Sequence, residues 1–148
     1  MEKQKMRHLI ERYEDIFIFA TRKLNALLAE LLEDLTPEQY FTLRHIKRYG
    51  PCTSSTLSEL NCVNRSAMTA MINKLAAKGY VTRTTDSQDR RIIWLETTQE
   101  AEAVLAAGEE EMHTFITSYL TELEAEEVES FIHIYEKIWN IIRAKEEK

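Results

Sequence analysis

The sequence contains few of the residues that interrupt secondary structure, with three glycines and two prolines among 148 residues. Hydrophobic residues make up 44% and charged residues 30%, a composition that favours long amphipathic helices over an all-β fold. No run of 18 apolar residues exists, and the segment Met1–Lys5 leads into a charged amphipathic pattern. We therefore expect a mainly helical cytoplasmic protein with no membrane partner, folded as one domain or as a protomer that shares its core with a copy.

Motifs for catalysis or for cofactor binding are missing as well. The sequence has no glycine-rich phosphate loop and no nucleophile elbow, and the run Glu109–Glu111 is explained more simply as a solvated helix face than as an acid–base pair. Cys52 and Cys62 are ten residues apart and match no metal or redox spacing, which leaves a redox role for either thiol open. The histidines show no metal-ligand spacing either: His8, His45, His113 and His133. These absences predict no enzyme, no cofactor and no metal site.

The charge is unevenly distributed. The net charge of −6 alone argues against a nucleic-acid partner. Residues 44–94, however, contain nine basic and three acidic side chains, whereas residues 95–148 contain four basic and fourteen acidic ones. A basic central third fits a nucleic-acid surface, and phosphate would repel the acidic C-terminal third.

The basic third contains a pattern of helix, strand, charged loop and strand. Asn64 is a favourable helix N-cap and Gly79 a favourable helix stop, which predicts a helix over Asn64–Lys78. Its apolar stripe comprises Met68, Met71, Ile72 and Leu75. The β-prone segments Tyr80–Thr85 and Ile92–Leu95 then flank a polar tip with two arginines. A helix with a small, polar outer face fits the major groove of B-DNA, and an arginine-bearing hairpin fits the backbone or the narrow minor groove.

This stretch resembles the winged helix-turn-helix of the MarR family of bacterial transcription regulators. The resemblance rests on the opening Asn-Arg-Ser-Ala-Met-Thr, the exit Lys-Leu-x-x-Lys-Gly-Tyr-Val, the hairpin tip Asp-x-x-Asp-Arg-Arg, and an upstream Leu-Thr-x-x-Gln. The chain departs from the family where the hairpin usually closes with Leu-Thr-x-x-Gly, because Thr97, Thr98 and Ala101 occupy those positions. We expect the following helix to begin through Thr98 all the same.

The resemblance implies a mainly α fold with a small β-hairpin wing and long terminal dimerisation helices. It assigns residues 36–97 to a DNA-binding region, and residues 1–35 with 98–148 to a helical dimerisation region. The implied function is that of a repressor that binds a pseudo-palindromic operator as a homodimer and is released by a small molecule. A winged-helix module that binds another protein without reading DNA is the alternative, although such a module has no physical need for arginines at the hairpin tip.

Candidate DNA contacts come from three segments. Ser54, Ser55 or Thr56, at the start of a short helix predicted near Ser55 to Leu60, suits a phosphate, with plain N-capping as the alternative. The family's Asp-x-Arg pair corresponds to Asp89 and Arg91, with Asp89 orienting an arginine that enters the minor groove, unless the two merely stabilise the hairpin. The full set of candidate DNA-binding residues is Ser54, Ser55, Asn64, Arg65, Ser66, Thr69, Asn73, Lys74, Arg83, Arg90 and Arg91.

Both ends of the chain are more apolar than a small central domain requires. A helical stripe continues from Met6 to Leu32, and a second one follows in a helix predicted over Ala125–Ala144. A membrane-surface helix is the weaker explanation, because the charge flanking the first stripe is mixed. Uncovered apolar surface of this kind marks an interface, so we expect a homodimer. Its predicted interface residues are Leu9, Tyr13, Ile16, Phe131, Tyr135, Ile138 and Ile142.

The family resemblance also implies a ligand pocket between the dimerisation helices and the DNA-reading region. Tyr13, Phe17, Tyr40 and Phe41 are the candidate lining, an aromatic set suited to a small apolar or aromatic ligand. The alternative is that these rings belong to the hydrophobic core, as aromatic residues at helical spacing often do.

Overall fold

The computed structural model of the chain describes residues 1–147 and contains six helices and one two-stranded hairpin in that range. It divides into two compact units, Met1–Glu110 and Glu111–Lys148. The helices are α1 (Lys3–Leu31), α2 (Pro37–Tyr49), α3 (Ser54–Leu60), α4 (Arg65–Ala77), α5 (Gln99–Leu120) and α6 (Ala125–Glu146), with strands β1 (Val81–Thr85) and β2 (Ile93–Thr97) between α4 and α5. The predicted fold class, mainly α with a small β-hairpin, is confirmed.

The start of α2 follows from its sequence. Thr36 Oγ1 accepts a hydrogen bond from the Gln39 backbone N–H at 3.2 Å, and Gln39 Oε1 accepts one from the Thr36 N–H at 3.1 Å. This reciprocal capping box, with Pro37 at the first helical position, satisfies backbone donors that the first turn leaves unpaired. Gly50 ends the helix, and its N–H bonds back to the Ile46 carbonyl at 2.7 Å.

The helix α4 is capped at both ends as its sequence predicts. Asn64 Oδ1 accepts a hydrogen bond from the Ala67 N–H at 2.8 Å, and Gly79 follows the helix with a φ of 80°. A positive φ at this place suits glycine, which carries no Cβ to clash. Three of the four residues of the predicted apolar stripe are buried, namely Met68, Ile72 and Leu75. Met71, the fourth, is half-buried and lines a cavity.

The two strands of the hairpin pair antiparallel, with Thr84 opposite Trp94 and Val81 opposite Thr97. Strand β2 therefore extends beyond the predicted Leu95. Cys52, which precedes α3, adds a short bridge to this sheet: its N–H donates to the Leu95 carbonyl at 3.2 Å, and the Leu95 N–H donates to the Cys52 carbonyl at 2.8 Å. The hairpin is thereby fastened to the start of the helix-turn-helix.

The core of the first unit lies where α2, α3 and α4 meet the base of the hairpin. Leu43, Leu57 and Leu75 are completely buried, and each contributes about 1.5–3 kcal/mol by leaving water. The helix α5 begins as expected, because Thr98 Oγ1 accepts from the Ala101 N–H at 3.1 Å. Ala101, at the position where the family usually has glycine, is fully buried.

The second unit contains the end of α5 and all of α6. Glu124 and Glu127 form a capping box at the start of α6, where the Glu124 N–H donates to Glu127 Oε2 at 2.9 Å. Every residue of α6 is described, and none of them is buried. Its large apolar side chains are exposed to solvent: Phe131, Ile132, Ile134, Tyr135, Ile138, Trp139, Ile141 and Ile142. No helix within residues 1–147 combines the length and the apolar character needed to cross a membrane.

Candidate nucleic-acid interface

The outer face of α4 presents polar side chains to solvent. Arg65, Ser66, Thr69, Asn73 and Lys74 are all exposed. The two hydroxyl groups already donate within the protein, since Ser66 Oγ bonds to Asn64 Oδ1 at 2.8 Å and Thr69 Oγ1 to the Arg65 carbonyl at 2.9 Å. Their oxygens remain able to accept, which leaves Arg65 and Lys74 as the long donors of this face.

Asn64 lies at the edge of this face, but its side chain is engaged in structure. Its Oδ1 accepts from both the Ala67 N–H and the Ser66 hydroxyl. The structure therefore places Asn64 as the helix cap, which leaves only its amide N–H groups for DNA.

A carboxylate organises the tip of the hairpin. Asp86 Oδ2 accepts from the backbone N–H groups of Gln88 and Asp89, at 3.1 and 3.0 Å, and Asp86 Oδ1 accepts from Trp94 Nε1 at 3.0 Å. The bond from Trp94, followed by the two backbone bonds, lowers the pKa of Asp86 below its usual value. The sequence interpretation missed this role, although aspartate at the start of a polar turn is a recognised turn signal.

Asp89 and Arg91 contact each other within the same tip. Asp89 Oδ1 accepts from Arg91 Nε at 3.1 Å and from the Arg91 backbone N–H at 3.0 Å, and Asp89 Oδ2 accepts from Arg91 Nη2 at 3.2 Å. These bonds lower the pKa of Asp89, the side-chain bond from Arg91 having the largest effect. The Arg91 side chain is 90% exposed, and its neighbour Arg90 is exposed too. Both arginine side chains are thus exposed to solvent beside a turn held by hydrogen bonds to Asp86 and Asp89.

A cleft of about 310 Å³ opens between the start of α3, the face of α4 and the hairpin. Its polar lining consists of Ser54, Thr69, Asn73 and Arg83. Arg83 Nη2 donates a hydrogen bond to Asn73 Oδ1, a contact between the hairpin and α4 that the sequence interpretation did not foresee. One or two candidate residues from each of the three segments therefore line the same cleft.

The structure shows which residue caps α3, and so whether Ser54 or Ser55 acts as its N-cap. Thr53, the residue before them, provides the cap, since its Oγ1 accepts from the Thr56 N–H at 3.3 Å. Ser54 is exposed and Ser55 is half-buried. Neither serine is the N-cap residue, and the predicted phosphate role of both stays a prediction.

The four aromatic residues predicted to line a ligand pocket lie in two pairs, and in one of them the rings of Tyr40 and Phe41 meet edge to face with centroids 5.5 Å apart. Tyr40 is buried, and desolvation raises the pKa of its hydroxyl, an effect that Arg44 opposes and Glu109 reinforces. Tyr13 and Phe17 stack with ring centroids 5.8 Å apart on an exposed face of α1. Phe41 lines a cavity of about 550 Å³ between α2 and α4. The other residues around this cavity, Met68, Met71 and Lys74 among them, were not predicted as ligand contacts.

The two cysteines have different environments. Cys52 is buried, which raises the pKa of its thiol, whereas Cys62 is exposed in the turn between α3 and α4. Within residues 1–147, no group of three or more histidine, cysteine or acidic side chains is arranged to hold a metal ion.

Comparison with known proteins identifies the family. The sequence model of the MarR family matches residues 35–93, which include α2, α3, α4 and β1. The transcriptional repressor MdtR of Bacillus subtilis is 36% identical over an alignment of 118 positions, and the match covers 74% of this chain and 74% of MdtR. The chain belongs to the MarR family. It is therefore a transcription regulator, and members of this family are not enzymes.

Solved structures of other MarR proteins share the fold. A mutant of MarR from Escherichia coli complexed with operator DNA has a TM-score of 0.76 at 24% identity, over 87% of this chain and 94% of the other. MarR of Staphylococcus aureus, in complex with salicylate and kanamycin, has a TM-score of 0.83 at 17% identity, over 95% and 96% of the two chains. At these identities the two structures establish the MarR fold for this chain and no finer property.

Proposed function

We propose that this MarR-family regulator is a repressor that binds a pseudo-palindromic operator as a homodimer and is released by a small molecule. The observation that carries the DNA contact is the exposed polar face of α4 beside a hairpin tip whose arginines project into solvent. That surface lies in the basic third of an otherwise acidic chain. Operator DNA bound to the related Escherichia coli protein supports the same class of partner.

The proposed contact places α4 in the major groove and the hairpin tip in the adjacent minor groove. Lys74 and Arg65 are the long donors available for base edges or phosphates. The negative potential of a narrow minor groove attracts the positive charges of Arg90 and Arg91. Because the face of α4 has few long side chains, direct base readout is modest and the wing supplies much of the affinity. In a dimer the two copies of α4 lie about one helical turn apart, or roughly 10 bp.

Selection of bound sequences from a random duplex library tests the proposal. We expect enrichment of a pseudo-palindrome whose half-sites are roughly 10 bp apart. A protein that enriches no sequence, while capturing another protein through the same surface, would be a winged-helix interaction module, and the proposal would fail.

The proposed dimer uses exposed apolar surface on the terminal helices. Leu9, Tyr13 and Ile16 on α1 are exposed, the last two by 58% and 63%. The α6 residues Phe131, Tyr135, Ile138 and Ile142 are exposed too. Exposed apolar patches of this kind mark interfaces between proteins, and an obligate interface buries more than about 2,000 Å² in total. Sedimentation should detect a dimer, and a stable monomer at micromolar concentration would remove both the dimer and the two-half-site operator.

The proposed effector site is the cavity of about 550 Å³ that α4 shares with α2. Phe41, Met68 and Met71 give it apolar walls, and its charged lining consists of Glu38 and of Lys74, a cation suited to an acid group. Because α4 forms one wall, a bound molecule that favours a different position of this helix would lower DNA affinity. Salicylate should raise the melting temperature and weaken operator binding. If neither quantity changes at saturating salicylate, benzoate and phenol, the proposed effector class is wrong.

A further inference from the structure

The contact between Arg83 and Asn73 joins the hairpin to α4 across the cleft described above. Arg83 Nη2 donates to Asn73 Oδ1, and both side chains are exposed. Within the described range 1–147, no carboxylate lies within ion-pairing distance of the Arg83 guanidinium. The acceptor is thus a neutral amide, which holds the arginine in place without neutralising its positive charge.

The surroundings of the pair suit a phosphate group. The cleft lining combines Arg83 with the hydroxyl residues Ser54 and Thr69, and it includes no acidic residue. A guanidinium has five N–H donors in a fixed plane, so one bond to Asn73 leaves donors for a two-point contact with phosphate oxygens.

The same contact affects what Asn73 can read. An asparagine that recognises adenine donates from its Nδ2 to N7 and accepts at its Oδ1 from N6. Here one of the two lone pairs of Oδ1 already accepts from the Arg83 guanidinium. This bond fixes the direction of the amide, so Asn73 could meet an adenine only in the orientation that Arg83 imposes.

We propose that Asn73 is a positioning residue and not a base reader: it holds Arg83 so that the guanidinium binds a phosphate of the DNA backbone at the mouth of the cleft. This inference rests on the proposed DNA-binding function and assigns separate roles to two residues of that surface. A neutral residue at position 73 suits this role, because it leaves the positive charge of Arg83 undiminished for the phosphate.

The test compares Arg83→Gln, Asn73→Ala and the double variant by binding a selected duplex over a salt titration. Arg83→Gln should lower the salt slope by about 0.9 per protomer, or about 1.8 for a dimer. When the salt concentration rises from 50 to 200 mM, the affinity of the variant should then fall by a factor roughly 12-fold smaller than the factor for the wild type. Asn73→Ala should weaken binding in the wild type and have no effect in the Arg83→Gln background. Arg7→Gln, the same loss of charge on α1, should leave the slope unchanged.

A second readout separates positioning from base reading. On a set of duplexes that carry every single-base substitution, Asn73→Ala should keep the base preferences of the wild type at all positions. Loss of preference at one base pair would show that Asn73 reads a base and overturn the inference, as would a wild-type salt slope for Arg83→Gln. If the wild type selects no sequence at all, the proposed function fails first, so the two failures are distinguishable. Melting temperatures should stay close to the wild-type value, because both side chains are exposed.

Discussion

Gly108 in α5 offers a quantitative test of how tightly the first unit is packed. A Cβ added at this position would lie 2.7 Å from Tyr40 Cε2, 3.1 Å from Tyr40 Cδ2 and 3.2 Å from Leu32 Cδ2. Tyr40 is 3% exposed, so its ring has little room to move aside. Such overpacking costs about 1–3 kcal/mol, whereas alanine is favoured over glycine inside a helix by about 1 kcal/mol. Gly108→Ala should therefore destabilise the protein by about 1 kcal/mol.

Thermal and urea denaturation at one fixed protein concentration measure this effect. The melting temperature should fall by about 2–4 °C. In a Tyr40→Leu background the ring is gone, so adding Gly108→Ala there should be neutral or stabilising. If Gly108→Ala raises the melting temperature of the otherwise wild-type protein, helix propensity exceeds the steric cost and the packing argument is refuted.

Two further predictions concern the ends of α4 and the hairpin. Asn64→Ala removes the acceptor for the Ala67 N–H and should cost about 1 kcal/mol of stability in urea denaturation, whereas Asn64→Asp, which retains a capping oxygen, should cost less. The folded-state pKa of Asp86 is lowered, so its contribution to stability is present above the ordinary carboxyl pKa of about 3.9 and is lost as the pH falls through the folded value. Trp94 donates to Asp86, so its fluorescence reports on this contact once the other tryptophan is removed by Trp139→Phe. In that background the fluorescence of Trp94 should change over the acidic range, and Asp86→Asn should already alter it at neutral pH. A signal that does not depend on pH would contradict the role of Asp86.

Local chemistry explains why much of the fold was predictable. The capping box at Thr36, the N-cap at Asn64 and the glycine stop at Gly79 each act within a few residues, so they can be read directly from the sequence. The helices predicted over Asn64–Lys78 and Ala125–Ala144 are present, with boundaries that differ by at most two residues. The hairpin was predicted as well, although β2 extends two residues further, to Thr97.

Contacts between distant segments could not be predicted in the same way. The bridge from Cys52 to Leu95 and the bond from Arg83 to Asn73 depend on how the hairpin lies against the helices, which periodicity does not encode. The aromatic residues illustrate the same limit. Tyr40 and Phe41 are neighbours in sequence and their rings meet edge to face, yet Tyr40 is buried against Gly108 whereas Phe41 lines the cavity, a difference that helical spacing alone does not predict.

The wing arginine provides the most direct test of the DNA-binding account. Arg91→Ala removes a guanidinium whose side chain is 90% exposed, so the melting temperature should remain nearly unchanged. Fluorescence anisotropy with a labelled, selected duplex should show strongly weakened binding and a salt slope lower by about 0.9 per protomer. Arg7→Ala, which removes an exposed arginine from α1, should retain the wild-type affinity and slope. If Arg91→Ala instead binds the duplex like the wild type across the whole salt titration, Arg91 at the hairpin tip does not contact DNA, and the central claim that the tip of the wing supplies much of the affinity is contradicted.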